Sequence, residues 1–250
     1  MTPVTILVLQ LADNDPPGQL AEWLTDAGAD VRIAHPYREK FDGDLDDYQA
    51  VVCLGGQMGA NDVIDHPWLA DVRSLLSTCV TKQTPLLAIC LGAQLLAVAM
   101  GGQVETGDNG PEIGPGLIAK RDLAWTDPLF ADLPLMPDVV QFHHDTVSRL
   151  PNSAVLLASS TRYPHQAFRI GQAYGIQFHI ETTPEIVQAW AKADPEGADQ
   201  ARPGDLEPER LTELHDDVEE VWRPFAERFV KLARGELTPV EPARPQLPMI

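Results

Sequence analysis

Across its first hundred residues the chain alternates short, uninterrupted apolar runs with amphipathic stretches, and this alternation limits the available folds more than any other feature. VTILVLQ (4–10), VRIAHPY (31–37), DLDDYQAVVCLGG (44–56) and PLLAIC (85–90) read as four strands. QLAEWLTDAGAD, between the first two, sets Leu20, Trp23, Leu24 and Ala27 on one helical face, with Gly28 as its cap. PWLADVRSLLSTCVTKQ (67–83) repeats Leu69, Val72, Leu76 and Val80 at spacings of three and four, behind a proline suited to a first turn. QLLAVAMGG follows the fourth strand as a third helix. Strands that are continuously apolar, not alternating, are covered on both faces. The expectation is an α/β fold with a mostly parallel central sheet flanked by helices on both faces.

From about residue 104 the pattern changes. VETG, GLIAK, VVQFHHDTV, AVLLASS, QAFRI and AYGIQFHI are shorter and strand-like, and should extend the sheet and add a small antiparallel layer beside it. TPEIVQAWAKAD (183–194) reads as a helix opened by threonine and proline. Residues 1–192 are expected to form one domain. Beyond it come a polar, proline-bearing linker or long loop (193–209), an amphipathic C-terminal helical segment (213–237) and a proline-rich tail from Thr238. In the helical segment Leu214, Val218, Val221, Trp222, Phe225, Phe229 and Leu232 share a face, and Pro224 leaves open one helix or a broken pair.

Cys90 ends the fourth strand and precedes a Gly-containing turn into a helix, in the order Ala-Ile-Cys-Leu-Gly. That pattern suits a nucleophile elbow at the carboxyl edge of a sheet, beside a helix amino terminus that favours a thiolate. It equally suits a packed core thiol. In QFHIE (177–181), His179 and Glu181 are two residues apart on an extended segment, so both project to one face. An imidazole oriented by a carboxylate is what a cysteine nucleophile needs. Cys53 and Cys79 fall on an apolar strand and a helix face and read as structural.

ICLGAQLLAVAMGG and GIQFHIETTPE resemble two signature regions of the class I glutamine amidotransferases, and CLGGQMG (53–59) resembles their oxyanion loop. The resemblance runs over roughly residues 3 to 190. It implies Cys90 as nucleophile, His179 as base and Glu181 as the residue orienting it. It also implies an oxyanion hole from the backbone amides of Gly56 and Leu91, with Gln94 lining the glutamine pocket. QFHHDTV would place His143, His144 and Asp145 near the amino-acid end of the substrate. GPEIG (110–114) and HQAF (165–168) resemble stand-alone proteins related to the GMP synthase amidotransferase domain. Ala88 at the elbow, Gln57 after the paired glycines and Ile180 in place of a common proline depart from the pattern without removing a reacting group.

The implied activity is hydrolysis of the glutamine side-chain amide through a cysteinyl thioester, with ammonia passed to a separately encoded synthetase or synthase. Sixty residues after position 190 are too few for such an acceptor. A stand-alone hydrolase or peptidase of small γ-glutamyl amides stays open, as does a non-enzymatic binding or regulatory protein. No metal or organic cofactor is expected. His143 and His144 are adjacent on a strand and point opposite ways, which disfavours a shared ion. The paired glycines lack the rest of a phosphate loop.

Composition narrows the partners. A formal charge of -19 without a basic block argues against nucleic acid. Three cysteines without framework spacing, no signal-like amino terminus and no spanning apolar stretch lead to the expectation of a cytoplasmic protein away from membranes.

Overall fold

In the computed structural model, which describes residues 4–239, the alternating first hundred residues fold as β1 (Val4–Leu9), α1 (Gly18–Asp26), β2 (Ala29–Ala34), β3 (Ala50–Cys53), α2 (Trp68–Lys82), β4 (Leu86–Ile89) and α3 (Leu91–Ala99). The strands then come in closer succession: β5 (Gln103–Thr106), β6 (Glu112–Leu117), β7 (Ala119–Lys120), β8 (Asp138–His143), β9 (Asp145–Arg149), β10 (Val155–Ser159), β11 (Ala167–Ile170) and β12 (Ala173–Ile176). Three helices close the described chain: α4 (Pro184–Ala193), α5 (Pro195–Ala198) and α6 (Pro208–Ala233).

Among the described residues one sheet runs in the order β2-β1-β3-β4-β12-β11-β10-β7. Its first five strands are mutually parallel, and the last three continue it antiparallel. β5–β9 and β6–β8 form two antiparallel ribbons beside it. Successive strand residues feed opposite cores. Ile6, Val8, Val52, Leu87, Ile89 and Ile176 pack toward α1 and α6, while Leu7, Leu9, Val51, Cys53, Leu86 and Ala88 pack toward α2 and α3. Both faces are dry, which is why these strands are apolar without alternation.

Several boundaries differ from the sequence expectation. β2 starts at Ala29 and stops before Pro36, where the Arg38 amide instead closes a turn onto the His35 carbonyl. Residues 45–47 form a 3₁₀ turn whose Asp46 amide donates to the Asp44 carboxylate, so β3 is only its apolar end. VVQFHHDTV is two strands, not one, because the chain turns at His144 and pairs each half with a different partner. β12 ends at Ile176. His179 lies beyond it, in extended backbone that pairs with Val140 of β8 through two hydrogen bonds of 2.8 and 3.2 Å.

α6 is continuous through Pro224. Proline there cannot bond the carbonyl four residues earlier, but Pro224 and Glu220 are both exposed, so that carbonyl is not left in the dry core. Its inner face joins the core through Leu214, Val218, Trp222, Phe225 and Phe229. The span expected as a linker contains α5 and hydrogen-bonded turns. Most of the proline-rich tail, residues 240–250, lies outside the described residues. No helix among the described residues is long and apolar enough to cross a membrane.

Candidate active site

Four parts of the site follow the carboxyl ends of parallel strands. Cys90 follows β4, the glycine pair follows β3, the segment 177–181 follows β12, and Asp15 lies in the loop after β1. Such edges are where open α/β sheets place their ligands. β3 and β4 are adjacent and parallel, with Cys53 opposite Ala88. The glycine turn and the elbow therefore emerge side by side.

Cys90 has φ 51 and ψ -109, backbone angles that a side chain rarely adopts and that cost on the order of 1–3 kcal/mol. The strain is held by the Cys90 amide donating to the Ile176 carbonyl at 2.8 Å and by the Gln94 amide donating to the Cys90 carbonyl at 3.0 Å. Gly92 is required two residues on, since a Cβ there would sit 2.3 Å from the Cys53 carbonyl oxygen. The chain thus turns sharply at Cys90 between strand and helix, and Ala88 fits fully buried beneath the turn. Cys53 and Cys79 are free thiols set in apolar surroundings. Burial pushes Cys79 up to about 12 and Cys53 higher still, so neither offers a thiolate near neutral pH.

His179 is buried and donates through Nδ1 to Glu181 Oε1 at 2.7 Å. Burial opposes its charged form, yet Glu181 and the Cys90 thiol together hold the imidazole well above its ordinary value. Its Nε2, the nitrogen left for Cys90, is buried and makes no full hydrogen bond among the described residues. Gly55 reports how tightly these groups converge: a Cβ there would lie 3.3 Å from His179 Cε1, 3.4 Å from Asp15 Oδ1 and 3.6 Å from Cys90 Cβ. Ile180 does not loosen the glutamate. Its amide, which a proline would lack, donates to Glu181 Oε2 at 2.9 Å. The Glu181 carbonyl in turn receives the Gln19 amide at 2.9 Å, an approach open only because residue 18 is glycine.

A cavity of about 480 Å³ opens over these groups, lined by Gly56, Cys90, Gln94, His143, His144, Asp145 and His179 among others. Gly56 packs against Leu91, a Cβ on it falling 2.9 Å from Leu91 Cδ2. Their backbone amides flank the elbow, one from the β3 turn and one from the first residue of α3. Gln94 donates through Nε2 to the Asp145 carbonyl at 3.1 Å and to Gln177 Oε1 at 3.2 Å. His143 is buried, with Nδ1 donating to the Asp145 carbonyl and Nε2 3.1 Å from Glu112 Oε2. The turn at His144 sends that ring outward to Asp194 Oδ2 at 2.7 Å, and Asp145 Oδ1 accepts from the Thr106 hydroxyl. No three His, Cys, Asp or Glu side chains among the described residues are placed to hold a metal ion.

Three residues around Cys90 and His179 were not anticipated. Gln177 donates to Cys90 Sγ at 3.7 Å. It shares the i, i+2, i+4 phase of His179 and Glu181, so the argument that linked those two could have included it. Trp190 of α4 covers the imidazole with ring centroids 4.7 Å apart and donates its indole N–H to the Asn14 carbonyl at 2.7 Å. Nothing in the helix pattern separates it from an ordinary core residue. Asp15 is 7% exposed and lines the cavity, and its Oδ2 has no hydrogen-bond partner among the described residues. Burial pushes its carboxyl up to about 6, with His179 opposing and Glu181 reinforcing the shift. The turn-like composition of DNDPPG hid it.

Comparison with known proteins gives a consistent picture. The model of the family described as glutamine amidotransferase class I matches residues 19–189. The chain is 33% identical over 150 residues to a glutamine-hydrolyzing GMP synthase of Christiangramia forsetii, an alignment covering 59% of this chain and 27% of the synthase. It thus spans little more than a quarter of that relative. A crystal structure of a glutamine amidotransferase from Thermotoga maritima superposes with a TM-score of 0.81 at 29% identity, covering 93% of this chain and 99% of that one. One from Methylobacillus flagellatus superposes with a TM-score of 0.76 at 25% identity, covering 98% of each chain.

Proposed function

Since this chain belongs to the class I glutamine amidotransferase family, we propose that it hydrolyses the side-chain amide of glutamine through a Cys90 thioester and supplies the ammonia to a separately encoded synthase-type enzyme. Membership makes it an amidohydrolase; the residues and the acceptor are the proposal. The observation that carries it is a cysteine on a strained elbow, facing an imidazole whose other nitrogen is fixed by a buried carboxylate.

Cys90 as thiolate attacks the amide carbon, and the oxyanion that forms is received by the Gly56 and Leu91 amides. The C–N bond then breaks as His179 gives its Nε2 proton to the departing nitrogen, releasing ammonia. A water deprotonated by the same nitrogen attacks the thioester, and glutamate leaves with the thiolate restored. Glu181 holds the imidazole in one orientation and stabilises its cation throughout. Gln94, with His143, His144 and Asp145, faces the amino-acid end of the substrate. The relative described as a glutamine-hydrolyzing GMP synthase supports an acceptor of the synthase type.

One observation favours a second reading. A cavity of about 480 Å³ exceeds what free glutamine fills, leaving room for a γ-glutamyl amide whose leaving group is larger than ammonia. Incubating the protein with glutamine and with a panel of γ-glutamyl amines, following released ammonia or amine, separates the two. A glutamine-like diazoketone should alkylate Cys90 and spare Cys53 and Cys79. Labelling spread over all three, or absent from Cys90, would sink the nucleophile assignment.

A further inference from the structure

Asp15 is out of place by ordinary stability reasoning. A buried carboxyl with an unpaired oxygen costs free energy, and native chains seldom keep one without use. Here Oδ2 lacks any partner among the described residues, no hydrogen bond reaches Oδ1, and the group sits against the cavity within reach of the same point in space as His179 and Cys90. Its loop is fixed, not adaptable. The Trp190 indole clamps the Asn14 carbonyl, and the Asp15 amide donates to the Ala12 carbonyl.

The position within the cavity defines the role. A γ-carboxamide bound for attack by Cys90 has three directions to satisfy. Its oxygen points to the Gly56 and Leu91 amides, and its glutamyl chain points toward Gln94 and His143. Its nitrogen must point to His179, and Asp15 Oδ1 and His179 Cε1 lie within 3.4 and 3.3 Å of one point over Gly55, both lining the cavity. We infer that Asp15 is a leaving-group positioning residue, its carboxylate accepting an N–H of the scissile amide so that the nitrogen lone pair faces His179 Nε2 as the C–N bond breaks. Asp15 takes no proton in this step. The proton comes from His179, and the carboxylate receives only the hydrogen bond, then releases it with the amine. A carboxyl raised to about 6 is mostly ionised and accepts through both oxygens at neutral pH, whereas in acid it carries a proton that turns one oxygen into a donor. His179, Glu181 and Cys90 are the titratable groups that face it.

The inference rests on the cavity being a γ-glutamyl amidase site, and the test keeps the two ideas apart. An ester leaving group has no N–H to donate, so γ-methyl glutamate is attacked by the same thiolate without the Asp15 contact. In Asp15→Ala, kcat/KM for glutamine should fall by roughly tenfold to a hundredfold more than kcat/KM for the ester. Asp15→Asn preserves shape and one neutral acceptor oxygen, so it should show a smaller bias of the same sign, with a melting temperature equal to or above the parent's, since an unpaired buried charge is removed. Equal losses on amide and ester in an active background, or a markedly lower melting temperature for Asp15→Asn, would overturn the assignment of Asp15 alone. A parent protein inert toward both substrates would overturn the amidase reading and this assignment with it.

Discussion

Glu181 touches His179 with one oxygen and the Ile180 amide with the other, so a single residue sets both the tautomer of the imidazole and the backbone that carries it. The hydrogen-bonding amide at position 180 explains how the chain dispenses with a proline there: a donor to the carboxylate replaces a rigid ring. Replacing Glu181 with glutamine keeps the shape and one acceptor oxygen but removes the charge that raises His179. Turnover should fall on the order of tenfold to a hundredfold, and by less than in Cys90→Ala, because thiols depend less than hydroxyls on the orienting group. Steady-state kcat of the folded variant decides it, and a value equal to the parent's would remove Glu181 from the proposed triad. At this scale the sequence was most legible where side-chain direction follows from spacing, as in His179 and Glu181. It was least legible at Asp15, where a stretch of Asp, Asn, Pro and Gly reads as a solvated turn and only the covering Trp190 makes it an interior.

Among elements, the parallel strands were readable because burial on both faces leaves a continuous apolar run. The ribbons were not, because residues 139–147 carry one unbroken strand-like composition across a turn that only the pairing partners define. α6 lay between these cases. Its apolar stripe was visible, but its continuity through Pro224 depended on which face the proline took. That stripe meets the strand leading to the site: Trp222 donates its indole N–H to the Asp138 carbonyl at 2.9 Å, at the start of the strand that carries His143 and pairs with His179. The ring also packs on Phe130, Phe178 and Phe225. Trp222→Ala should therefore cost about 3–5 kcal/mol in chemical denaturation, as for other large buried aromatics. The loss should appear as a shifted midpoint with thermal inactivation and unfolding moving together. A surface-sized effect below about 0.5 kcal/mol would mean that α6 is an appendage instead of a layer of the core.

For the whole molecule, two buried groups bias stability in opposite directions over the same range of pH. His215 of α6 donates through Nδ1 to the Leu211 carbonyl at 2.6 Å and pairs through Nε2 with the Thr182 hydroxyl at 3.0 Å, one residue past Glu181, so the neutral ring satisfies both contacts. Burial lowers its proton affinity. The unfolded chain then binds a proton that the native one refuses, and the stability His215 contributes is complete above about pH 6.5 and lost as pH falls below it. Asp15 has the reverse sign. Its carboxyl is raised from 3.8 to about 6, so between these values the native state holds the extra proton and stability falls as pH rises. At neutral pH that costs roughly 2 to 3 kcal/mol, an upper figure because water reaches Oδ1 from the cavity. The parent's curve between pH 4 and 7 is therefore flatter than either group alone would give. Urea midpoints at pH 4.5 and 7.5 separate them. Asp15→Asn should gain stability relative to the parent at pH 7.5 and little at pH 4.5, steepening the acid loss. His215→Gln, which can keep both hydrogen bonds without titrating, should lessen that loss. Parallel curves for the parent and both variants would show that neither group titrates differently in the folded and unfolded chain. The placement of Asp15 as an unpaired carboxyl and of His215 as a ring kept neutral by burial would then both be wrong.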